Sequence, residues 1–143
     1  VLAKKLIANT QPISANTING AIGLHKRIVI NVSQYHPQNF SETIAHIETI
    51  LNQHSNDKSF NVEIIANKQG IKALDKETSI HAARLSLLAE KFDSLEVIAC
   101  TKSLAKLASE GNPIQLMKSI MMTPSAAQLV AKRTNEGWLY LKI

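Results

Sequence analysis

Cys100 is the only cysteine among 143 residues. It stands where an apolar run, Leu95 to Ala99, gives way to the helical pattern of Leu104, Leu107 and Ala108. A thiol in that position has two readings. Free cysteines are among the most buried residue types and usually only pack. At the first turn of a helix, however, unpaired N–H groups and the helix dipole stabilise an anion. A thiolate is an anion, so its pKa should fall there. Lys102 adds positive charge nearby, and Thr101 and Ser103 supply hydroxyl donors. This surrounding favours a nucleophilic sulfur, or a persulfide, over an inert thiol.

The other chemistry-bearing residues form weaker patterns. Lys68 to Gly70 follow an apolar run, but one glycine makes neither a dinucleotide fingerprint nor a phosphate loop. His25, His36, His46, His54 and His81 show no HxH or HExxH spacing, so no metal site is expected. No spacing singles out a partner for a Cys-His-Asp triad. Asn31-Val32-Ser33 is a formal glycosylation sequon, set in or just after a strand. Met117, Met121 and Met122 read as packing residues.

A single thiol rules out an intramolecular disulfide framework and a cysteine-rich zinc site. The net charge is +5, but the sixteen lysines and arginines are scattered and no aromatic residues interleave with them. A solvated basic surface is expected, and nucleic acid is not an expected partner. No stretch approaches the ~18 to 20 apolar residues of a membrane span. The opening residues lack the apolar core of a signal peptide. The chain begins with valine, which leaves open a leader that has been removed. A cytoplasmic location is expected, with the periplasm as the alternative.

Elements that would position Cys100 follow from the pattern. Residues 1–24 are rich in Asn, Thr, Ser and Ala, and read as an extension before one domain over residues 25–143. RIVINV (27–32), NVEIIA (61–66), LEVIA (95–99), KSIMMT (118–123) and WLYLKI (138–143) read as five strands. Phe40, Ile44, Ile47 and Leu51 recur on one face of a helix that Pro37 and Asn39 precede. Asn67 to Gly70 read as a loop. Two adjacent helical stripes, Ile80, Ala83, Leu87 and Leu85, Leu88, Phe92, mark the next helix. Thr123 with Pro124 reads as an N-cap and first helical residue, ahead of Ala127, Val130 and Ala131. Strands alternating with helices predict one three-layer α/β/α sandwich with a mostly parallel five-stranded sheet, helices covering each side. Ligands in such sheets bind beyond the carboxyl ends of the strands, where Cys100 lies.

The order RIVINVS, FNVEIIANKQGIKAL, LEVIACTKSLAKL and MMTPSAAQLVAKRTNEGWLYLKI resembles the DsrE/DsrF-like family over residues 26–143. Three features carry the likeness: Ala99-Cys100 with a hydroxyl residue soon after, the Ala66-Asn67-x-x-Gly70-Ile71 segment, and Pro124-Ser125 leading to Glu136-Gly137-Trp138-x-Tyr140. The resemblance implies a YchN-like fold and assembly of copies into trimers or hexamers. It also implies a sulfur-relay role, in which Cys100 accepts sulfane sulfur and passes it between a donor and an acceptor protein. Asn67, Gly70, Thr101, Lys102 and Ser103 would then line the thiolate or persulfide pocket. No cofactor is implied. Thr101, Lys102 and Ser103 depart from the Gly or Glu, Asn, Thr that relatives often carry, and Ala126 stands where a glycine commonly follows the Pro-Ser pair. The alternative is a non-catalytic oligomeric module that binds a small ligand or a protein, in which Cys100 only packs.

Overall fold

The computed structural model describes residues 25–143. The extension expected over residues 1–24 lies outside the described residues. Strands β1 (Arg27–Val32), β2 (Asn61–Ala66), β3 (Leu95–Cys100), β4 (Ile120–Thr123) and β5 (Leu139–Lys142) form one sheet in the order β4-β3-β2-β1-β5. Every neighbouring pair is parallel. Five of the six residues in each of β1, β2 and β3 are buried, as continuous apolar runs covered on both faces require.

The topology explains where the helices lie. Helix α1 (Pro37–Gln53), a 3-10 helix (Lys68–Leu74), α2 (Ala82–Lys91) and α3 (Thr101–Ser109) connect β1 to β4, stepping one way across the sheet. Parallel crossovers are right-handed, so connections stepping in one direction share one face. Helix α4 (Ala126–Asn135) steps back from β4 to β5 and must cross the other face. The core divides accordingly. Ile28, Ile30, Ile64 and Val97 pack with Phe40, Ile44, Ile71, Leu85 and Leu107 on the first face. Val29, Ile65, Ile98, Cys100 and Tyr140 pack with Ala126, Leu129 and Val130 on the second. The cover is therefore unequal: among the described residues α4 is the one helix of the second core.

Several boundaries differ from expectation. Pro37 is the first residue of α1, not a residue before it, because its missing N–H costs nothing at that position. Asn67 caps the 3-10 helix, and Lys68 and Gly70 lie inside it, not in a loop. Only the Leu85, Leu88, Phe92 stripe of α2 is buried; Ile80 is 80% and Leu87 is 67% exposed, and Ala83 is exposed too. Ala108 is also exposed, while Leu107 carries the buried face of α3. A helix lying on one sheet face buries one stripe. Helix α4 is capped by Ser125, whose Oγ accepts from the Gln128 N–H at 3.2 Å, in place of Thr123. Its inward side carries Ala126, Leu129 and Val130, leaving Ala127 and Ala131 exposed.

One buried cluster makes stability depend on pH. His81 is buried beside Tyr35 and Phe40, and the Tyr35 hydroxyl meets its Nδ1 at 2.7 Å. Burial, then the charge of Arg84, hold the His81 pKa below its ordinary 6.5. The unfolded chain therefore binds a proton here that the folded one resists. Stability present above pH ~6.5 should fall as the solution is acidified through that value. The urea midpoint of the native chain should drop more between pH 7.5 and 5.5 than that of His81→Asn. Equal drops in the two proteins would exclude His81 as the cause.

Candidate functional site

Cys100 is the last residue of β3 and the N-cap of α3. It pairs in register with Thr123, the last residue of β4. The segment after β3 turns to the first face and the segment after β4 leads to the second, so the chain diverges between these two strands. In α/β sheets, ligands bind beyond the strand ends at such a point of divergence. The Cys100 side chain points to the second face, toward Ala126 at the start of α4. One sulfur thus lies at the amino ends of two helices.

The polar surroundings of that sulfur are mostly main chain. Burial pushes the thiol pKa up, since Cys100 is only 5% exposed. Hydrogen bonds from the Ser103 and Ala126 N–H groups, the Ser103 hydroxyl and the Lys102 N–H outweigh it. The result is a thiol titrating below its ordinary range, because every one of these donors favours the anion. Ser103 is itself fixed. Its Oγ accepts from the Lys68 N–H at 2.8 Å, which leaves its proton for the sulfur. Lys68 adopts a left-handed backbone, φ 49°, as it makes this bond.

Among the residues expected around the sulfur, the structure brings together Ser103 by side chain and Lys102 by its N–H. The Lys102 and Thr101 side chains are exposed. Asn67 lies one residue beyond the Ala66–Ala99 pair, level with Cys100 on the adjacent strand. Its Oδ1 accepts from Asn31 Nδ2 at 3.1 Å. Gly70 serves by close approach: a Cβ there would lie 1.9 Å from the Val32 carbonyl oxygen. A groove of about 280 Å³ opens beside Ser103, between the 3-10 helix and α3, with Lys68 and Lys106 on its walls. A wider depression of about 770 Å³ lies at the other end of the strands, near Asn61 and Ser94.

Sequence reasoning gave no role at the site to three residues on the second face. Asn31 is buried, and its Nδ2 also donates to the Ile65 carbonyl at 3.0 Å. Tyr140 OH lies 3.5 Å from Asn31 Oδ1, and burial raises its pKa. Glu63 is buried in β2 and receives a bidentate pair from Arg133, with both distances 2.8 Å. The signal was a polar residue inside an apolar run: Asn31 in RIVINV and Glu63 in NVEIIA.

No family model matches the chain, and no curated protein matches it. Among solved structures, the fold matches "Structure of Protein of Unknown Function MTH1491 from Methanobacterium thermoautotrophicum" with a TM-score of 0.62 and 20% identity. The match covers 82% of this chain and 98% of that one. At that identity the likeness shows the fold alone, an α/β sandwich. No helix of the described residues is long and apolar enough to cross a membrane.

Proposed function

We propose that this chain is a sulfur carrier of the DsrE/DsrF-like kind, holding sulfane sulfur as a persulfide on Cys100. The observation that carries the reading is the set of main-chain N–H groups, from two helix starts, converging on one sulfur. In the uptake step the Cys100 thiolate attacks the outer sulfur of a donor persulfide, R–S–SH. A new S–S bond forms to Cys100, the donor S–S bond breaks, and its electron pair leaves with R–S as a thiolate. The sulfane sulfur moves without net oxidation or reduction. In the release step an acceptor thiolate attacks the outer sulfur, and Cys100 departs as a thiolate. A low-pKa thiolate leaves faster, so the same donors assist release. Neither a metal nor a cofactor takes part. Donor and acceptor would be partner proteins, as the resemblance implies.

The resemblance also implies trimers or hexamers. Ile80, Leu87, Met121 and Met122 are apolar and more than half exposed, the kind of surface that a neighbouring copy covers. The burial of Cys100 favours one second reading, a non-catalytic binding module in which the thiol only packs.

One sample separates them. The oligomeric state is measured by sedimentation, then alkylation of Cys100 is followed against pH, and intact mass is taken after exposure to glutathione persulfide. The carrier reading expects alkylation to titrate below the ~8.5 of a free thiol. It also expects one added sulfur atom, absent in Cys100→Ser. A thiol that reacts only in urea, with no sulfur taken up, would leave the packing reading in its place. A monomer at all concentrations would remove the assembly.

A further inference from the structure

The donors around Cys100 Sγ suit the free thiolate. In a persulfide the negative charge sits on the outer sulfur, one bond further out, and the donors at Sγ no longer face it directly. A carrier therefore needs another donor at the rim. We propose that the Asn67 carboxamide is that donor and that Asn31 is the positioning residue that sets its orientation. This rests on the sulfur-carrier reading.

A backbone carbonyl oxygen can only accept a hydrogen bond. The Ile65 carbonyl takes a hydrogen bond at 3.0 Å from the Asn31 side chain, so the atom facing it must be the Asn31 N–H2. That fixes the Asn31 oxygen on the other branch, where the Tyr140 hydroxyl lies at 3.5 Å. The second proton of the Asn31 N–H2 meets Asn67 at 3.1 Å, so the Asn67 atom there must be its oxygen. The N–H2 of Asn67 is then turned away from Asn31. Asn31 stands on β1, one strand to one side of Asn67, and Cys100 stands on β3, one strand to the other. All three side chains belong to the second face, and adjacent parallel strands are ~4.8 Å apart. The carboxamide thus has its acceptor end tied on the β1 side and its donor end left for the β3 side. Asn31 is buried and Asn67 only half-buried, which suits an anchor and a rim donor respectively.

The test is an exchange equilibrium, Cys100–S⁻ + R–S–SH giving Cys100–S–S⁻ + R–SH, with glutathione as R. Asn31→Ala, Asn67→Ala and the double variant are compared with the native chain. Circular dichroism and melting establish that each is folded. A hydrogen bond to an anion is worth enough that Asn67→Ala should lower the loading constant about tenfold. Asn31→Ala should lower it in the same direction, and the double variant should fall no further than Asn67→Ala alone. The pH profile of free-thiol alkylation should stay where it is in all three, since the donors at Sγ are untouched. A general loosening of the site would move that profile as well.

Loading of Asn67→Ala at the native level would overturn the proposal, as would losses that multiply in the double variant. Asn67→Ala changes a half-buried side chain and decides the donor even if Asn31→Ala fails to fold. If the native chain loads no sulfur, the carrier reading falls and this inference with it. If the native chain loads and the variants match it, this inference alone falls.

Discussion

Gly70→Ala should destabilise the protein by about 4 kcal/mol or more, among the largest effects of a single methyl group. A Cβ at this position would meet Val32 O at 1.9 Å, Val32 C at 2.5 Å and Ser33 N at 3.1 Å. These are main-chain atoms, so no rotamer change relieves the overlap. The Val32 carbonyl is also held, because it accepts from the Asn67 N–H at 3.0 Å. The 3-10 helix must therefore move off the end of β1. At this chain length the melting temperature should drop on the order of 15 °C. The movement should reach the sulfur. Lys68 lies two residues before Gly70 and holds Ser103, which donates to Cys100. Alkylation of Cys100 should then titrate at higher pH than in the native chain. A melting temperature within 3 °C of native, by the same scaling, would mean that the overlap is relieved cheaply and that this account of Gly70 is wrong.

Arg133→Met should cost about 3–5 kcal/mol, for a different reason. Arg133 Nε and Nη2 each lie 2.8 Å from a Glu63 oxygen, and Nη1 reaches Glu136 at 2.9 Å. The guanidinium also stacks over Trp138, with its carbon 4.9 Å from the ring centroid. Its hydrogen bonds to Glu63, only partly opposed by burial, push the Arg133 pKa up and hold it protonated. Glu63 is 4% exposed, so removing the arginine strands a carboxylate in the second core. The penalty belongs to the orphaned charge more than to the lost pair, which makes a sharp comparison. Glu63→Leu combined with Arg133→Met should recover most of the loss, because well-packed apolar residues often replace a buried pair at no net cost. Urea unfolding of both proteins at pH 7 decides it. A double variant as unstable as the single one would show that the pair itself, not the stranded charge, carries the stability.

The sheet was legible because β1, β2 and β3 are buried on both faces, and a run such as RIVINV has few other homes. The edges read less well. β4 begins at Ile120, after Ser119 takes a left-handed φ of 63°, and β5 stops at Lys142. An edge strand has a partner on one side only, so apolar patterning overstates its length. The second stripe of α2 misled for a related reason: sequence periodicity marks apolar residues, not the surface that receives them. Cys100 itself stood out as the lone thiol at a strand end. Its second helix start did not, since Ala126 comes from a segment beyond β4 and only the strand order brings it near. Asn31, Glu63 and Arg133 were hidden because their partners lie 36, 70 and 70 residues away in sequence.

Most of the donors around Cys100 are peptide N–H groups, and every residue except proline carries one. Thr101 and Lys102 are both exposed, while the Lys102 N–H meets the sulfur. The side chains at those positions can change while the main-chain donor that meets the sulfur stays in place. An arrangement of this kind is stored in the path of the backbone and is nearly silent in the alphabet of side chains. Among the donors at Sγ, only Ser103, with the glycine that lets the 3-10 helix come close enough to hold it, spells any of it out.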